Sequence, residues 1–182
     1  MKLFYKIVRE SIFVLVVATL VSSIGGIALK SVEDTLVTIV PLIIILPALN
    51  DMIGDFGIIL VARFTTALYT KKKTKHLANH LFKDALIIAM ISAVYIACLG
   101  TFLASLKHNF TFSIALLMKM ILLTLVTTLV LFLINFLIAF FLGRYVYKRK
   151  IDPDNVLIPL TTSVADLGAM IVLALLAMLL FP

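Results

Sequence analysis

The stretch VLIPLTTSVADLGAMIVLALLAMLLF, Val156 to Phe181, carries hydroxyl groups near its start and one ionisable side chain, Asp166. A membrane-spanning helix needs about 20 apolar residues, so this stretch is long enough to cross a bilayer. Asp166 lies roughly 15 Å from its start, because an α-helix rises about 1.5 Å per residue. An ionisable group at that depth is costly and usually faces a protein interior or a water-filled path. The stretch therefore predicts a membrane helix with a functional carboxylate.

Composition places the whole chain in a membrane. Of its 182 residues, 63% are hydrophobic and 14% are charged, whereas soluble domains contain about 25% charged residues. We expect a single transmembrane domain over residues 1–182, without a separate soluble domain. The single cysteine, Cys98, excludes an intrachain disulfide and a multi-cysteine metal site. The sequence shows no nucleophile and base pair and no phosphate-binding glycine loop, so it does not indicate an enzyme.

Five apolar runs predict an all-α integral membrane protein with five transmembrane helices, a multi-pass protein of the cell membrane. The runs cover residues 7–29, 35–68, 85–106, 112–142 and 156–181. Basic residues cluster before the first run and after the second and fourth: Lys2, Lys6, Arg9, Lys71, Lys72, Lys73, Lys75, Lys83, Arg144, Lys148, Arg149 and Lys150. The positive-inside rule then places the N-terminus in the cytoplasm and the C-terminus outside. The net charge of +7 is explained by this topology, with the lipid bilayer and not a nucleic acid as partner.

The second run is too long for one perpendicular crossing of a bilayer, so it must tilt, protrude or break. Its middle reads PALNDMIGDFG, residues 47–57, and holds a proline, two glycines and two carboxylates. Proline and glycine in a membrane helix free backbone groups that need protein, water or ion partners. Broken helices of this kind often form ion sites near the midplane. We therefore predict that the second helix is broken near its middle, where four helix-breaking residues surround Asn50, Asp51 and Asp55: Pro41, Pro47, Gly54 and Gly57.

Three carboxylates at membrane depth predict a cation path. The second and fifth helices run in opposite directions, so they can be neighbours. Asp51 and Asp55, four residues apart, would then share one helix face near Asp166. Oxygen ligands suit hard cations such as Mg²⁺, Ca²⁺ or Mn²⁺. Because Mg²⁺ often keeps its waters and binds through one or two carboxylates, a few aspartates suffice.

Other polar side chains of these two helices leave two interpretations open. The hydroxyls of Thr161, Thr162 and Ser163 either face the waters of a bound ion, or bond to the preceding helical turn or a neighbouring helix. Arg63 either gates the path, or serves as an internal counter-ion or reaches the cytoplasmic surface with its long side chain.

Two motifs resemble the MgtE magnesium transporters and their eukaryotic solute-carrier relatives. The segment from Pro47 to Gly57, followed by ARFTTAL at residues 62–68, is similar to the family's second membrane helix. The last run and its entry resemble the family's last helix, where an Asp-Pro pair precedes the pore aspartate by the same interval. The residues that carry this second match are Asp152, Pro153, Pro159, Thr161, Thr162, Asp166 and Gly168.

The resemblance implies that Asp166 is the central pore ligand for hydrated Mg²⁺ and that Asp152 is a carboxylate at the cytoplasmic entrance. It also implies a homodimer, because the family's pore forms between two subunits, and a two-fold dimer is the natural closed assembly. Mg²⁺ is then the transported ion, with other divalent cations as alternatives. The predicted metal ligands are Asp166, Asp55, Asp51 and Asp152, and the predicted lining or supporting residues are Asn50, Thr161, Thr162, Ser163, Gly54 and Arg63.

The sequence departs from the family pattern in two ways. The family's glycine-asparagine pair is Gly54-Asp55 here, which adds a charge and opens the question of selectivity. The sequence also resembles the membrane domain only, without the cytoplasmic CBS domains of many bacterial members. The leading hypothesis is a homodimeric divalent-cation transporter or channel, with magnesium as the first choice of ion. A proton- or sodium-coupled carrier of another substrate and a non-transporting membrane subunit are the alternatives.

Replacing Asp55 by asparagine restores the family residue and tests its effect on ion preference. We expect Asp55→Asn to retain transport but to change ion preference or coupling, because a titratable carboxylate is removed. Competition among Mg²⁺, Mn²⁺, Ca²⁺ and Na⁺ in a flux assay measures this change against the unmodified protein. An unchanged order of competition would count against the idea.

Overall fold

A computed structural model describes residues 2–70, 74–106 and 112–181, and within these ranges the chain is almost entirely helical. The elements are α1, Lys2–Lys30; α2, Glu33–Thr38; α3, Val40–Tyr69; α4, Thr74–Ser105; α5, Ile114–Leu137; a π-helical turn, Ile138–Leu142; α6, Gly143–Lys148; and α7, Pro153–Leu180. The described residues form no β-strand. The all-α prediction is confirmed.

Among the described residues, five helical segments are long and apolar enough to cross a membrane. They are Ser11–Lys30, Val40–Tyr69, His80–Ser105, Ile114–Lys148 and Pro153–Leu180. They correspond one to one with the five runs in the sequence, so the chain is a multi-pass membrane protein. The side of the membrane on which each end lies stays a prediction from the basic residues.

The second apolar run forms two helices, α2 and α3. Ile39 separates them with φ −105° and ψ 82°, outside the helical region. Pro41 follows in the first turn of α3, where a missing N–H costs no helical hydrogen bond. From there α3 continues through Pro47 to Tyr69 as one helix. The interruption therefore lies at Ile39, ahead of the segment in which the sequence predicts a break.

The fifth span begins at a sequence-encoded helix cap. The carboxylate of Asp152 accepts a hydrogen bond from the backbone N–H of Asp154 at 3.2 Å, and Pro153 occupies the first helical position. An aspartate before the helix and a proline at its first turn both favour initiation, since the first N–H groups have no helical acceptor. This cap fixes where α7 starts and hence the depth of Asp166.

α7 is the element around which the others are arranged. It packs against α1, α3 and α5, and α3 also packs against α4 and α5. Helices in lipid gain little from hydrophobic exclusion and associate through close packing, which small residues permit. Most of the fully buried residues of α7 are accordingly small: Thr161, Ala165, Ala169 and Ala177, beside the larger Leu157 and Leu173.

Gly100 tests the close contact between α4 and α3. A Cβ atom at Gly100 would overlap the side chain of Ile45, whereas a Cβ at Gly26 would have no atom within 4 Å. We expect Gly100→Ala to lower the free energy of unfolding by about 1–3 kcal/mol, because overpacking displaces side chains. Gly26→Ala is the matched control and should be neutral or slightly stabilising, since alanine favours the helix.

Thermal unfolding of both variants in detergent measures the effect. A melting temperature of Gly100→Ala equal to that of Gly26→Ala would show that α4 does not approach α3 as described.

Candidate functional site

The centre of the candidate site is the carboxylate of Asp166 on α7, which lies partly buried between α1 and α3. Its Oδ1 accepts a hydrogen bond from Nδ2 of Asn50 at 2.7 Å. Its Oδ2 accepts one from the hydroxyl of Ser22 at 3.0 Å. Hydrogen bonds to an ionised group are stronger than neutral ones. Three helices therefore meet at this one side chain.

The polar atoms around Asp166 leave open positions for further hydrogen-bond donors. A carboxylate offers about four acceptor positions, and the two helix donors use only part of this capacity. Oδ1 of Asn50 is buried and has no hydrogen-bond partner within the described residues. A buried acceptor without a donor is unusual and calls for one. The waters of a hydrated cation would donate to both Asp166 and Asn50.

Asp51 and Asp55 lie on a different face of α3 from Asn50. Both side chains are exposed on the surface of the single chain, while Asn50 turns towards α7. Within the described ranges, no three histidine, cysteine or acidic residues come close enough together to hold a metal ion. One chain thus brings Asn50 and Asp166 together, but it does not bring Asp51 and Asp55 to them.

The three hydroxyls before Asp166 bond to their own helix. Thr161 donates to the carbonyl of Leu157 at 2.8 Å, and Ser163 donates to that of Pro159 at 2.5 Å. Thr162 donates to the carbonyls of Ile158 and Pro159 at 3.1 and 3.0 Å. In this conformation the hydroxyls bond to the preceding turn of their own helix and do not face the waters of an ion. Each hydroxyl oxygen can still accept a hydrogen bond.

Among the described residues, none of the remaining predicted residues forms a hydrogen bond with Asp166. Asp152 caps α7 and is half-buried at the start of that helix. Arg63 is exposed on α3 and lines a surface cavity of about 270 Å³ with Ala62, Thr66 and Leu81. Gly54 is buried inside α3, with no atom within 4 Å of where a Cβ would lie.

A second buried polar position is that of Asn135, which lies near Gly57 of α3. Asn135 on α5 is 1% exposed, and neither of its amide atoms has a hydrogen-bond partner in the part of the chain that the structure describes. A Cβ at Gly57 would lie 3.1 Å from Nδ2 of Asn135 and 3.1 Å from Cβ of Thr161. Gly57 therefore lets α3, α5 and α7 approach closely at this level.

Sequence reasoning did not assign Ser22 to the site. A serine in an apolar run is unremarkable, and its role depends on how α1 is rotated against α7. The signal available in the sequence was the group of small residues at 22–26, Ser-Ser-Ile-Gly-Gly, which indicates a face that can approach another helix. Asn135 carried a plainer signal, because an amide in a long apolar run needs a partner.

The arrangement suits a hydrated, hard cation. Around Asp166 the polar atoms are carboxylate, amide and hydroxyl groups, and oxygen is the ligand atom that Mg²⁺, Ca²⁺ and Mn²⁺ prefer. The site offers one carboxylate and one unpaired amide oxygen, too few to replace a full coordination shell. Such a site favours an ion that keeps most of its waters.

Comparison with known proteins identifies a family. The family model for MgtE, described as a divalent cation transporter, matches residues 46–176. That range includes Asn50 and Asp166 and leaves α1, with Ser22, outside. No curated protein and no solved structure matches the chain.

Removing the amide of Asn50 tests whether it forms part of an ion site. We expect Asn50→Leu to weaken Mg²⁺ binding about tenfold, because a hydrogen bond to a charged group contributes about 1.5–3 kcal/mol. The measurement is the Mg²⁺-dependent rise in melting temperature, which reports affinity for the folded state. Thr127→Val is the control, since the Thr127 hydroxyl is also buried without a partner among the described residues. An equal Mg²⁺-dependent rise in melting temperature in both variants would show that Asn50 does not form part of the ion site.

Proposed function

The chain belongs to the MgtE family of divalent cation transporters, and from this premise we propose that it carries Mg²⁺ through a path between two copies of the chain, past Asp166. The family is one of transporters and not of enzymes. Asp166 supports the finer assignment, because it combines membrane depth, partial burial and donors from two other helices.

The exposed face of α3 supports a dimer. It carries Asp51, Asp55 and Arg63 beside Ala48 and Ile59, all exposed in the single chain. A charged side chain facing the middle of a bilayer costs about 2.5–3.5 kcal/mol on insertion scales. A second copy packed on this face would remove these groups from lipid and place them beside a water-filled path.

The exposed face of α4 carries large apolar side chains, whereas that of α3 carries charged ones. Its outward side chains include Ile87, Ile88, Ile91 and Tyr95, which are all more than half exposed. These residues suit contact with lipid. The difference between the two faces favours α3, and not α4, as the side that meets a partner.

The choice of Mg²⁺ rests on the small number of polar groups at Asp166. Mg²⁺ sheds water reluctantly and holds its shell in octahedral geometry, so waters can bridge it to a few fixed acceptors. Ca²⁺ takes six to eight oxygen ligands at longer distances. Asp166 with Asn50 on each of two copies would contact a hydrated ion without replacing its shell.

Asp55 favours a second candidate function, ion-coupled exchange. It adds an exposed, titratable carboxylate at membrane depth on the face proposed to line the path. Such a group can alternate between a proton or Na⁺ and the transported ion. A channel and an exchanger differ in whether flux depends on a proton or Na⁺ gradient.

Flux through purified protein tests the role of Asp166. We expect Mg²⁺ entry into proteoliposomes with the unmodified protein, and at least a tenfold loss in Asp166→Asn. Asparagine keeps the shape of the side chain and one acceptor oxygen, so it can accept from Asn50 or from Ser22 but not at both positions, and it lacks the charge that attracts a cation. Asp34→Asn is the control, because Asp34 is exposed on α2 and should leave flux unchanged.

Imposing and removing proton and Na⁺ gradients in the same assay separates exchange from channel flow. Full flux in Asp166→Asn would refute the proposed path. Absence of Mg²⁺ flux in every condition would favour a carrier of another substrate or a non-transporting subunit.

Cross-linking tests the proposed dimer face. The native thiol of Cys98 is exposed and is first removed as Cys98→Ala. In that background we expect Ala48→Cys, on the exposed face of α3, to give a covalent dimer with a short thiol cross-linker in membranes. Ile91→Cys is the control, since Ile91 is 65% exposed but lies on α4. Equal dimer yields from the two positions would contradict an α3 interface.

A further inference from the structure

Ser22 differs from its neighbours Thr19 and Ser23 on α1 in what its side chain bonds. Thr19 donates to the carbonyl of Leu15 at 2.9 Å, and Ser23 donates to that of Thr19 at 2.8 Å. This bond to the preceding turn is the usual arrangement for hydroxyls in membrane helices. Ser22 instead donates to Asp166, 144 positions away in the sequence.

A close helix contact holds Ser22 at this place. One turn further along α1, a Cβ at Gly25 would lie 2.6 Å from Sδ of Met170 and 3.3 Å from Cα of Leu167. α1 and α7 therefore approach backbone to backbone beside the Ser22 and Asp166 pair, as small residues in membrane helices permit. The rest of α1 contributes little burial, since Ile12, Phe13, Leu20, Ile24 and Ile27 are all more than half exposed.

The two hydrogen bonds together fix the orientation of the Asp166 carboxylate. Asn50 holds Oδ1 from α3 and Ser22 holds Oδ2 from α1. A carboxylate held at one oxygen can rotate about its Cβ–Cγ bond, whereas one held at both oxygens cannot do so without losing a bond. The remaining acceptor positions then have fixed directions.

We propose that Ser22 is a positioning residue that sets the preference of the site for Mg²⁺ over Ca²⁺. This inference rests on the proposed function of Asp166. Fixed acceptors match the rigid octahedral water shell of Mg²⁺. A carboxylate released from Ser22 can rotate and offer both oxygens directly, as Ca²⁺ accepts in its larger and more flexible shell. α1 would thus contribute to selectivity, although it lies outside the residues that match the family.

The test is competition between the two ions in proteoliposomes. Mg²⁺ flux is measured with increasing Ca²⁺ for the unmodified protein, Ser22→Ala, Ser22→Thr and Ser23→Ala. The quantity compared is a ratio, the Ca²⁺ concentration that half-inhibits flux divided by the Mg²⁺ concentration that half-saturates it. We expect Ser22→Ala to lower this ratio about tenfold, because a hydrogen bond to a charged group contributes free energy on this scale. Ser22→Thr keeps a hydroxyl and should restore the ratio to within about twofold. Ser23→Ala should match the unmodified protein, because the Ser23 hydroxyl bonds only to its own helix.

The outcomes separate the inference from the function on which it rests. The role of Ser22 alone is overturned if flux still requires Asp166 but the ratio in Ser22→Ala is unchanged. The same holds if the apparent affinities for Mg²⁺ and Ca²⁺ fall in proportion. Flux that does not require Asp166 overturns the proposed function and with it this inference. If Ser22→Ala does not fold, Ser22→Cys, with a weak thiol donor, takes its place and is expected to shift the ratio in the same direction.

Discussion

A carboxyl group inside a membrane protein needs hydrogen-bonding partners or a cation beside it, and Asp166 imposes this requirement on the fold. Its two oxygens accept from Asn50 at 2.7 Å and from Ser22 at 3.0 Å. These donors belong to α3 and α1, so α7 has to lie against both. The same requirement fixes how the two helices are rotated, because a turn of either one would withdraw its donor.

Small residues make that arrangement sterically feasible. Gly25 brings α1 against α7, and Gly57 brings α3 against α5 and α7. On the other side of α7, a Cβ at Gly168 would overlap Leu131 of α5. Close packing and the polar site therefore depend on each other, since side chains as short as serine and asparagine reach Asp166 only if the backbones are near. The result is a carboxylate with fixed geometry and spare acceptor capacity.

The sequence predicts the five membrane helices well, because long apolar runs have few other stable conformations in lipid. It does not locate the interruption at Ile39, because the prolines at 41 and 47 give the same local signal, and Pro41 in a first helical turn costs less than Pro47 inside a helix.

Among the residues of the candidate site, Asp166 can be identified from the sequence because it lies deep in an apolar stretch. The Ser22 contact could not be predicted, since it depends on the rotation of α1 about its axis. The outward direction of Asp51 and Asp55 is hidden for the same reason: spacing shows that they share a face, not which face.

We propose that a hydrated divalent cation is held at Asp166 between two copies of the chain. The most direct measurement is anomalous diffraction from crystals of the protein grown with Mn²⁺, which uses the same oxygen ligands as Mg²⁺. We expect one peak on the two-fold axis, about 4 Å from the Asp166 carboxylate of each copy, the distance set by one bridging water. A peak at Asp51 and Asp55 alone, or no peak within the membrane in a dimer that binds Mn²⁺ in solution, would contradict it.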